Sequence, residues 1–159
     1  NETVWTTVNY TKLNSWGANI NLSLNTKNLN IYTDRITLSY AYTESEKDKG
    51  ELDSYYVLDY LRHCVTLNTQ HAFKNLYLNW TLRYQDRNGE YLKYIDTNTS
   101  IPTIYPNVFL VDVRAGYVFK KVNIYFDVSN LFDNQYVDIA NVKQPGRWIG
   151  FGVNYRFDL

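Results

Sequence analysis

The chain contains no methionine and only one cysteine, Cys64, among its 159 residues. A single cysteine excludes an intrachain disulfide framework and any zinc site built from several cysteines. The 16 lysines and arginines are balanced by 16 aspartates and glutamates, so the chain lacks the excess positive charge of a nucleic-acid-binding domain. It also lacks any run of about 18 apolar residues, which excludes a membrane-spanning helix.

The first residues of the chain lack the features of a secretion signal. Asn1 to Tyr10 contain neither a positively charged start nor the apolar stretch that signal peptides carry. Because no initiator methionine is present either, we expect the chain to be a processed product or an internal piece of a longer protein.

What the chain does contain is a regular alternation of apolar and polar residues, together with 17% aromatic residues. A period of two is the pattern of a β-strand with one apolar face, and no stretch shows a helical period of similar length. The alternation predicts seven strands. Their apolar faces run through Trp16–Leu24, Ile36–Tyr42, Leu61–Leu67, Leu76–Tyr84, Val111–Phe119, Val122–Val128 and Ile149–Phe157.

The lengths of the strands and of their connections favour a β-barrel in an outer membrane. A tilted strand needs ~9–11 residues to cross a bilayer, which the predicted strands reach, whereas soluble strands average about 5–6. Short turns are predicted at 26–30, 69–74 and 120–121, and they alternate with long polar loops at 44–56, 86–107 and 131–146. Short turns on one side and long extracellular loops on the other are typical of such barrels. A soluble sandwich or a lipocalin-like barrel is the alternative.

Seven strands do not make a complete barrel. Bacterial single-chain barrels need an even number of strands and no open edge within the lipid. Thr3 to Tyr10 would form only the end of an eighth strand, because at about 3.3 Å per residue it is too short to cross. We therefore expect residues 1–159 to be a C-terminal segment, of about seven to eight antiparallel strands, of a larger transmembrane barrel. The alternative is a complete small eight-stranded barrel with a structural, adhesive or lipid-modifying function.

Two motifs near the end of the chain carry a resemblance to a known family. The motif Asn130-Leu131-Phe132-Asp133-Asn134-Gln135-Tyr136 follows a predicted strand, and Pro145-Gly146-Arg147 precedes the last one, which ends Tyr155-Arg156-Phe157. In combination and spacing these motifs resemble the C-terminus of TonB-dependent outer-membrane receptors. The last loop of those receptors reads N-L-F-D-x-x-Y, followed by P-G-R and a closing strand that ends in Phe. This chain departs from the pattern by continuing with Asp158-Leu159.

The resemblance implies an active-transport receptor in the outer membrane of a Gram-negative bacterium, and not an enzyme. Such a receptor has a barrel of about 22 strands around an N-terminal plug. It imports a scarce nutrient (cobalamin, haem or a ferric siderophore) with energy that the TonB complex transmits through the plug. The plug and the earlier strands are absent from this chain.

The implied partners are therefore outer-membrane lipid, the nutrient, the TonB complex through the plug, and a surface lipoprotein that covers the loops. No cofactor and no nucleic acid is implied. The stretch from Asn141 to Trp148 resembles receptors of the Bacteroidetes cobalamin-transporter type.

The motif residues are expected to build the rim of the barrel and not to bind a ligand. Asn130 and Asp133 are expected to tie a tight turn with their side chains, and Leu131 and Phe132 to pack at the rim. Gly146 is expected to supply a turn conformation after Pro145. The other residues of the family motif are Tyr136, Arg147 at the membrane interface and Phe157.

Two sets of side chains are the candidates for function. Charged residues on the polar faces of the strands are predicted to line a wet lumen and to contact the plug; they are Arg35, Arg62, Arg83, Asp112, Arg114, Asp127 and Arg156. Aromatic residues of the extracellular loops are suited to stack against a large flat or apolar nutrient, or to hold a partner protein; they are Tyr91, Tyr94, Tyr105, Tyr136 and Trp148.

A metal or nucleophilic site is not expected. His63 and His71 are the only histidines, and we expect the first on the lipid-facing side of a strand and the second in a periplasmic turn. Neither has the spacing or the cysteine partners of a metal site. Cys64 is expected on the lumen face without a histidine beside it, where a thiol is a small filler and not a catalytic nucleophile.

Overall fold

The computed structural model describes residues 13–27, 33–47, 60–97, 99–138 and 142–157, and the regular structure within these ranges is β-strand. The strands are β1 (Leu13–Asn25), β2 (Arg35–Lys47), β3 (Leu61–Phe73), β4 (Leu76–Arg87), β5 (Glu90–Tyr94), β6 (Ser100–Ile104), β7 (Val108–Phe119), β8 (Val122–Ser129) and β9 (Trp148–Tyr155). No helix among the described residues is long and apolar enough to cross a membrane. The predicted partial strand at residues 3–10 lies outside the described ranges.

Seven of these strands form one antiparallel sheet, in the order β1-β2-β3-β4-β7-β8-β9. β5 and β6 pair only with each other, as a hairpin inserted between β4 and β7. The first five strands of the large sheet have 12 or 13 residues each, which corresponds to about 40 Å of extended chain. β8 and β9 are shorter, with 8 residues each. The sheet thus contains the seven strands that the alternation predicts.

The two faces of the large sheet differ as the alternation predicts. Directly opposed residues of antiparallel strands share a face, and one level of the apolar face is an unbroken aliphatic row formed by Leu22, Leu38, Leu67 and Leu82. Leu22 is 61% exposed, and no second layer covers this face in the part of the chain that the structure describes. Because an apolar sheet face must be covered to be stable, this face needs a bilayer or another partner.

The connections of the sheet alternate between its two ends. At the short-turn end, two-residue turns at Lys74-Asn75 and Lys120-Lys121 join β3 to β4 and β7 to β8, and the β1–β2 connection lies at the same end. At the opposite, long-connection end, the strand bounds leave 13 residues between β2 and β3, 20 between β4 and β7 and 18 between β8 and β9. The predicted alternation of short and long connections is therefore present.

Two of the predicted connections were wrong in detail. The turn expected at 69–74 is strand up to Phe73, so His71 lies within β3 and not in a turn. The polar loop expected at 86–107 contains the β5–β6 hairpin, in which Pro102 occupies an edge strand where its missing N–H removes no ladder bond. Short strands of this kind, with little alternation, are hard to recognise in a sequence.

Tyrosine and glycine residues interlock on the polar face near the short-turn end. Tyr77, Gly116, Tyr125 and Gly152 lie directly opposite one another on four successive strands. A Cβ added at Gly116 would overlap the Tyr77 ring, and one at Gly152 would overlap the Tyr125 ring. The rings cover the exposed glycine backbone, as in aromatic rescue of strand glycines.

Candidate functional site

The polar face of the sheet carries two cross-strand ion pairs. Arg114 of β7 and Asp127 of β8 stand directly opposite each other; the Arg114 Nε donates to one carboxylate oxygen of Asp127, and Nη2 donates to the other at 3.1 Å. Arg83 of β4 reaches Asp112 of β7, with 3.4 Å between Nη2 and Oδ2. Four of the predicted lumen residues are therefore paired with one another.

A shallow polar depression of about 280 Å³ lies between these two ion pairs. Asn79, Thr81 and Ser129 line it together with the charged side chains of Asp112, Arg114 and Asp127. Polar walls of this kind hold water or the polar side chains of an inserted segment. The depression contains no grouping of catalytic residues.

Arg35 and Arg156 are the predicted lumen residues that remain exposed at the short-turn end of the polar face. Neither side chain forms an ion pair with another residue of the described ranges. Among the residues predicted to line a lumen, these two arginines therefore have charge that is not neutralised by another described side chain.

Arg62 does not point where the alternation predicts. The register of β3 against β4 shifts between Leu61 and His63, which is a β-bulge that changes the side to which the neighbouring side chains point. Arg62 Nη2 donates to Glu44 Oε1 at 2.9 Å, and the Tyr42 hydroxyl donates to Glu44 Oε2 at 2.9 Å. The Arg62 guanidinium thus joins the side of Tyr42 and Glu44 at the long-connection end, and its predicted position in the lumen is wrong.

Asn130 holds the turn that leaves β8. The residue is 6% exposed and has a φ of 51°, a left-handed conformation that asparagine tolerates. Its side-chain oxygen accepts a hydrogen bond from Asn134 N at 3.0 Å, and its amide nitrogen donates to Asn134 O at 2.9 Å. Its own backbone N–H donates to Asp112 Oδ1 at 2.8 Å, which connects the turn to the ion pairs of the wall.

Asp133 links this turn to the Pro-Gly-Arg motif. Arg147 N donates to Asp133 Oδ1 at 2.7 Å, and a Cβ at position 146 would overlap the same oxygen. Gly146 does not have a positive φ, so the expected reason for this glycine was wrong: it permits close approach and not an unusual turn. Leu131 is half-buried, whereas Phe132 is 60% exposed. The geometry agrees with a structural role for the motif, although Phe132 packs little.

The aromatic residues of the long connections differ in their accessibility. Tyr105 is only 4% exposed, with its ring 5.2 Å from the Tyr91 ring and 5.7 Å from the Arg87 guanidinium. Tyr105 is thus a packing residue of the hairpin base and not a surface for stacking. Tyr94 and Trp148 are 64% and 67% exposed.

Tyr136 lies between these extremes. It is half-buried, and burial raises the pKa of its hydroxyl, so the side chain is a neutral hydrogen-bonding group at physiological pH. Its backbone carbonyl accepts a hydrogen bond from Gln144 N at 2.9 Å, which closes the last long connection.

The histidines and the cysteine are placed in the wall of the sheet. His63 Nδ1 lies 2.9 Å from the Tyr40 hydroxyl on the apolar face, and His71 Nδ1 lies 3.2 Å from Thr33 Oγ1. Cys64 is half-buried and free. The described ranges contain no group of three or more His, Cys, Asp and Glu side chains that could hold a metal ion.

Sequence reasoning missed two groups of residues at the site. The alternation does not indicate that the Glu44 carboxylate accepts hydrogen bonds from Arg62, Tyr42 and Tyr60. The Tyr60 hydroxyl donates to Glu44 Oε1 at 2.7 Å. Asn134 was also missed, although its side-chain amide donates to Phe109 O at 2.6 Å. Its place inside the Asn-Leu-Phe-Asp-Asn motif was the available signal.

No family model matches the chain, and comparison with curated proteins gives no match. Among solved structures, the chain is similar to the ferric-catecholate import receptor Fiu of E. coli K12 in its closed form, with a TM-score of 0.65 and 19% identity. The alignment covers 89% of this chain and 20% of the receptor, so the chain spans about a fifth of that receptor's length. At this identity the likeness establishes the fold, and the predicted all-β, antiparallel architecture of the barrel type is confirmed.

Proposed function

We propose that residues 1–159 form the C-terminal part of the barrel of a TonB-dependent receptor in the outer membrane of a Gram-negative bacterium. The receptor binds a scarce nutrient at its long-connection end and imports it with energy that the TonB complex transmits through a plug. The observation that carries this proposal is the inverted chemistry of the two sheet faces. Leucine and aromatic side chains are exposed on one face, and ion pairs line the other.

This inversion suits a bilayer outside and water inside. An outer-membrane barrel turns its apolar residues toward lipid and its polar residues toward the lumen. In a soluble sandwich the same apolar residues would pack against a second sheet, and the charged face would need to be exterior. The alternation of short and long connections supports the same orientation, with the long connections outside the cell.

The closing motif and the structural neighbour support nutrient import in particular. The neighbour is an import receptor for ferric catecholates. The turn built by Asn130, Asp133 and Gly146 resembles the family motif in its residues, and its hydrogen bonds support the structural role that the motif implies. A ferric siderophore, haem and cobalamin are the candidate cargoes. The likeness to the Bacteroidetes cobalamin-transporter type between Asn141 and Trp148 supports cobalamin among them.

Within this site, Trp148 and Tyr94 are the aromatic residues with the ring surface to contact a nutrient. Trp148 stands opposite Ser129 at the long-connection end of the polar face, next to the polar depression that Ser129 also lines. A ligand that enters from that end would contact the Trp148 indole before it contacted the charged residues that line the depression. Arg35 and Arg156, at the other end, are the lumen cations proposed to contact the plug.

The experiment is uptake in a strain from which the gene encoding the full-length protein has been deleted. We expect uptake of labelled cyanocobalamin, haemin or a ferric catecholate to be lost for one cargo and restored by the wild-type gene only when TonB is present. In the complemented strain, Trp148→Ala is expected to weaken uptake. Phe132→Ala at the same end, where the ring is 60% exposed, is the matched control and is expected to leave uptake unchanged.

Two outcomes would contradict the proposal. One is a strain that takes up all three cargoes normally without the gene. The other is a gene product whose mature mass is near the 18.8 kDa of this chain, which would support the small eight-stranded barrel, because such a product has no room for a plug and about 22 strands.

A further inference from the structure

The short-turn end of the sheet carries a strong excess of positive charge. The described residues there include six exposed cations, Lys27, Arg35, Lys74, Lys120, Lys121 and Arg156, and a single carboxylate, Asp34. Residues 28–32, which lie outside the described ranges between β1 and β2 in the sequence, carry no charge. Asp158 follows Arg156 beyond the described ranges, so the excess remains large even when its carboxylate is counted.

The long-connection end has the opposite balance. Its described side chains include the acids Glu44, Glu46, Asp86, Glu90, Asp96, Asp133 and Asp138, and the bases Arg62, Arg87, Lys93, Lys143 and Arg147. Two of these bases, Arg62 and Arg87, are held in ion pairs with Glu44 and Asp138. The positive charge at the short-turn end is therefore a local feature, because the whole chain has no net charge.

Two of the lysines lie at the outer perimeter, where the apolar face ends. Phe73 and Phe119 are the last residues of β3 and β7, they share the apolar face, and they are 56% and 55% exposed. The Lys74 ammonium lies 5.7 Å from the centre of the Phe73 ring, and the Lys120 ammonium lies 5.5 Å from the centre of the Phe119 ring. Each pair places a cation beside an exposed aromatic ring at the edge of the apolar face.

The backbone at both lysines is unfavourable for their residue type. Lys74 and Lys120 have φ values of 55° and 52°, a left-handed conformation in which Gly or Asn is the usual residue of a short turn. Two turns thus carry a lysine at a position that costs backbone free energy. A role for the ammonium groups explains why lysine occupies both positions.

We propose that Lys74 and Lys120 bind the phosphate groups of anionic phospholipids in the leaflet that meets the short-turn end. This inference rests on the proposed function, because it requires the apolar face to lie in a membrane. The ammonium groups supply the direct contacts to phosphate. Lys27 and Lys121, in the connections at the same end, add a field that attracts anionic headgroups and falls off within a Debye length.

The test is native mass spectrometry of the full-length protein, titrated with dioleoylphosphatidylglycerol or dioleoylphosphatidylcholine. We expect the anionic lipid to bind more tightly to the wild type. The double variant Lys74→Gln/Lys120→Gln is expected to weaken its binding about fivefold per lysine and to leave binding of the zwitterionic lipid unchanged. Glutamine keeps the unbranched stem, so the backbone cost of each turn stays nearly the same.

Two further variants complete the design. Lys93→Gln/Lys143→Gln removes the same charge from the long-connection end and is expected to leave the lipid preference intact. Lys74→Arg/Lys120→Arg keeps both cations and is expected to retain the preference. An unchanged preference in Lys74→Gln/Lys120→Gln, or an equal loss in Lys93→Gln/Lys143→Gln, would overturn the inference.

Failure of the proposed function has a different signature. If the protein folds in bilayers and imports its nutrient but binds both lipids equally, only the lipid-binding inference is overturned. If it does not enter bilayers at all, the proposed function fails and the inference fails with it.

Discussion

Replacing one exposed leucine by arginine distinguishes a lipid-facing surface from a water-facing one. Leu38 lies in β2, directly between Leu22 of β1 and Leu67 of β3, and is 39% exposed. The next residue, Ser39, points to the polar face, between Asn21 and Thr66. The variants Leu38→Arg and Ser39→Arg therefore place the same side chain on opposite faces at the same level of the same strand.

The expected costs differ because of the solvent on each face. An arginine near the midplane of the lipid face costs about 2–4 kcal/mol in the free energy of unfolding. At a water-exposed site a substitution changes that free energy by only about 0.5 kcal/mol. A difference of 2–3 kcal/mol between Leu38→Arg and Ser39→Arg corresponds to about 30- to 150-fold in the folding equilibrium constant.

The measurement is urea unfolding of the full-length protein in phospholipid vesicles, followed by tryptophan fluorescence. Both variants are compared with wild type at the same lipid ratio, and migration on gels with and without heating shows whether each enters the folded state. If Leu38→Arg costs no more than Ser39→Arg, the apolar face does not lie in lipid and the membrane assignment is refuted.

Three other substitutions, with Gly150→Ala as their control, test the turn and the polar face of the sheet. Asn130→Ala removes three side-chain hydrogen bonds in a buried turn, of which the one to Pro145 O is long at 3.5 Å, and we expect a loss of about 2–4 kcal/mol in the free energy of unfolding by the same measurement. Gly146→Ala is expected to cost at least about 1 kcal/mol; Gly150→Ala, where an added Cβ would meet nothing nearer than 3.7 Å, is the control and is expected to be tolerated. Gly152→Ala is expected to displace the Tyr125 ring, and equal unfolding midpoints for Gly152→Ala and Gly150→Ala would contradict the interlocking of ring and glycine.

The alternation of the sequence predicted the large sheet well, because it encodes which face each residue occupies. The seven strands and the row of leucines that includes Leu38 both follow from a period of two. The two short turns that join β3 to β4 and β7 to β8 make those pairs of strands antiparallel. The sequence also predicted the tight turns at 74–75 and 120–121 to within a few residues, because a short turn leaves little freedom in the pairing register of the two strands that it joins.

The misplaced features depend on interactions that a period of two does not contain. The bulge beside Leu61 redirects Arg62 toward Glu44, and a single inserted residue leaves no mark in the sequence. Tyr105 is buried because the β5–β6 hairpin folds back beside it. Gly146 is required by the side chain of Asp133, 13 residues earlier in the chain, and not by its own backbone angles.

The pairing of the wall charges bears on how a plug and a nutrient would be recognised. Arg83 and Arg114 already have carboxylate partners. An inserted plug would therefore gain little binding free energy by pairing with these arginines, and its departure would cost little. Under the proposed function, we therefore expect selectivity for the nutrient to reside in the long connections, where Trp148 and Tyr94 are exposed.

Asp112 offers a direct test of this division of roles, because it accepts hydrogen bonds from both Arg83 and the backbone of Asn130. Asp112→Asn keeps the size of the side chain and removes its charge, so the ion pair weakens while an oxygen remains to accept the backbone bond. We expect a loss of about 1–2 kcal/mol in unfolding free energy with unchanged affinity of the receptor for its nutrient in a binding assay. A large fall in nutrient affinity at unchanged stability would instead show that the nutrient contacts the charged residues of the polar face and not the exposed rings of Trp148 and Tyr94.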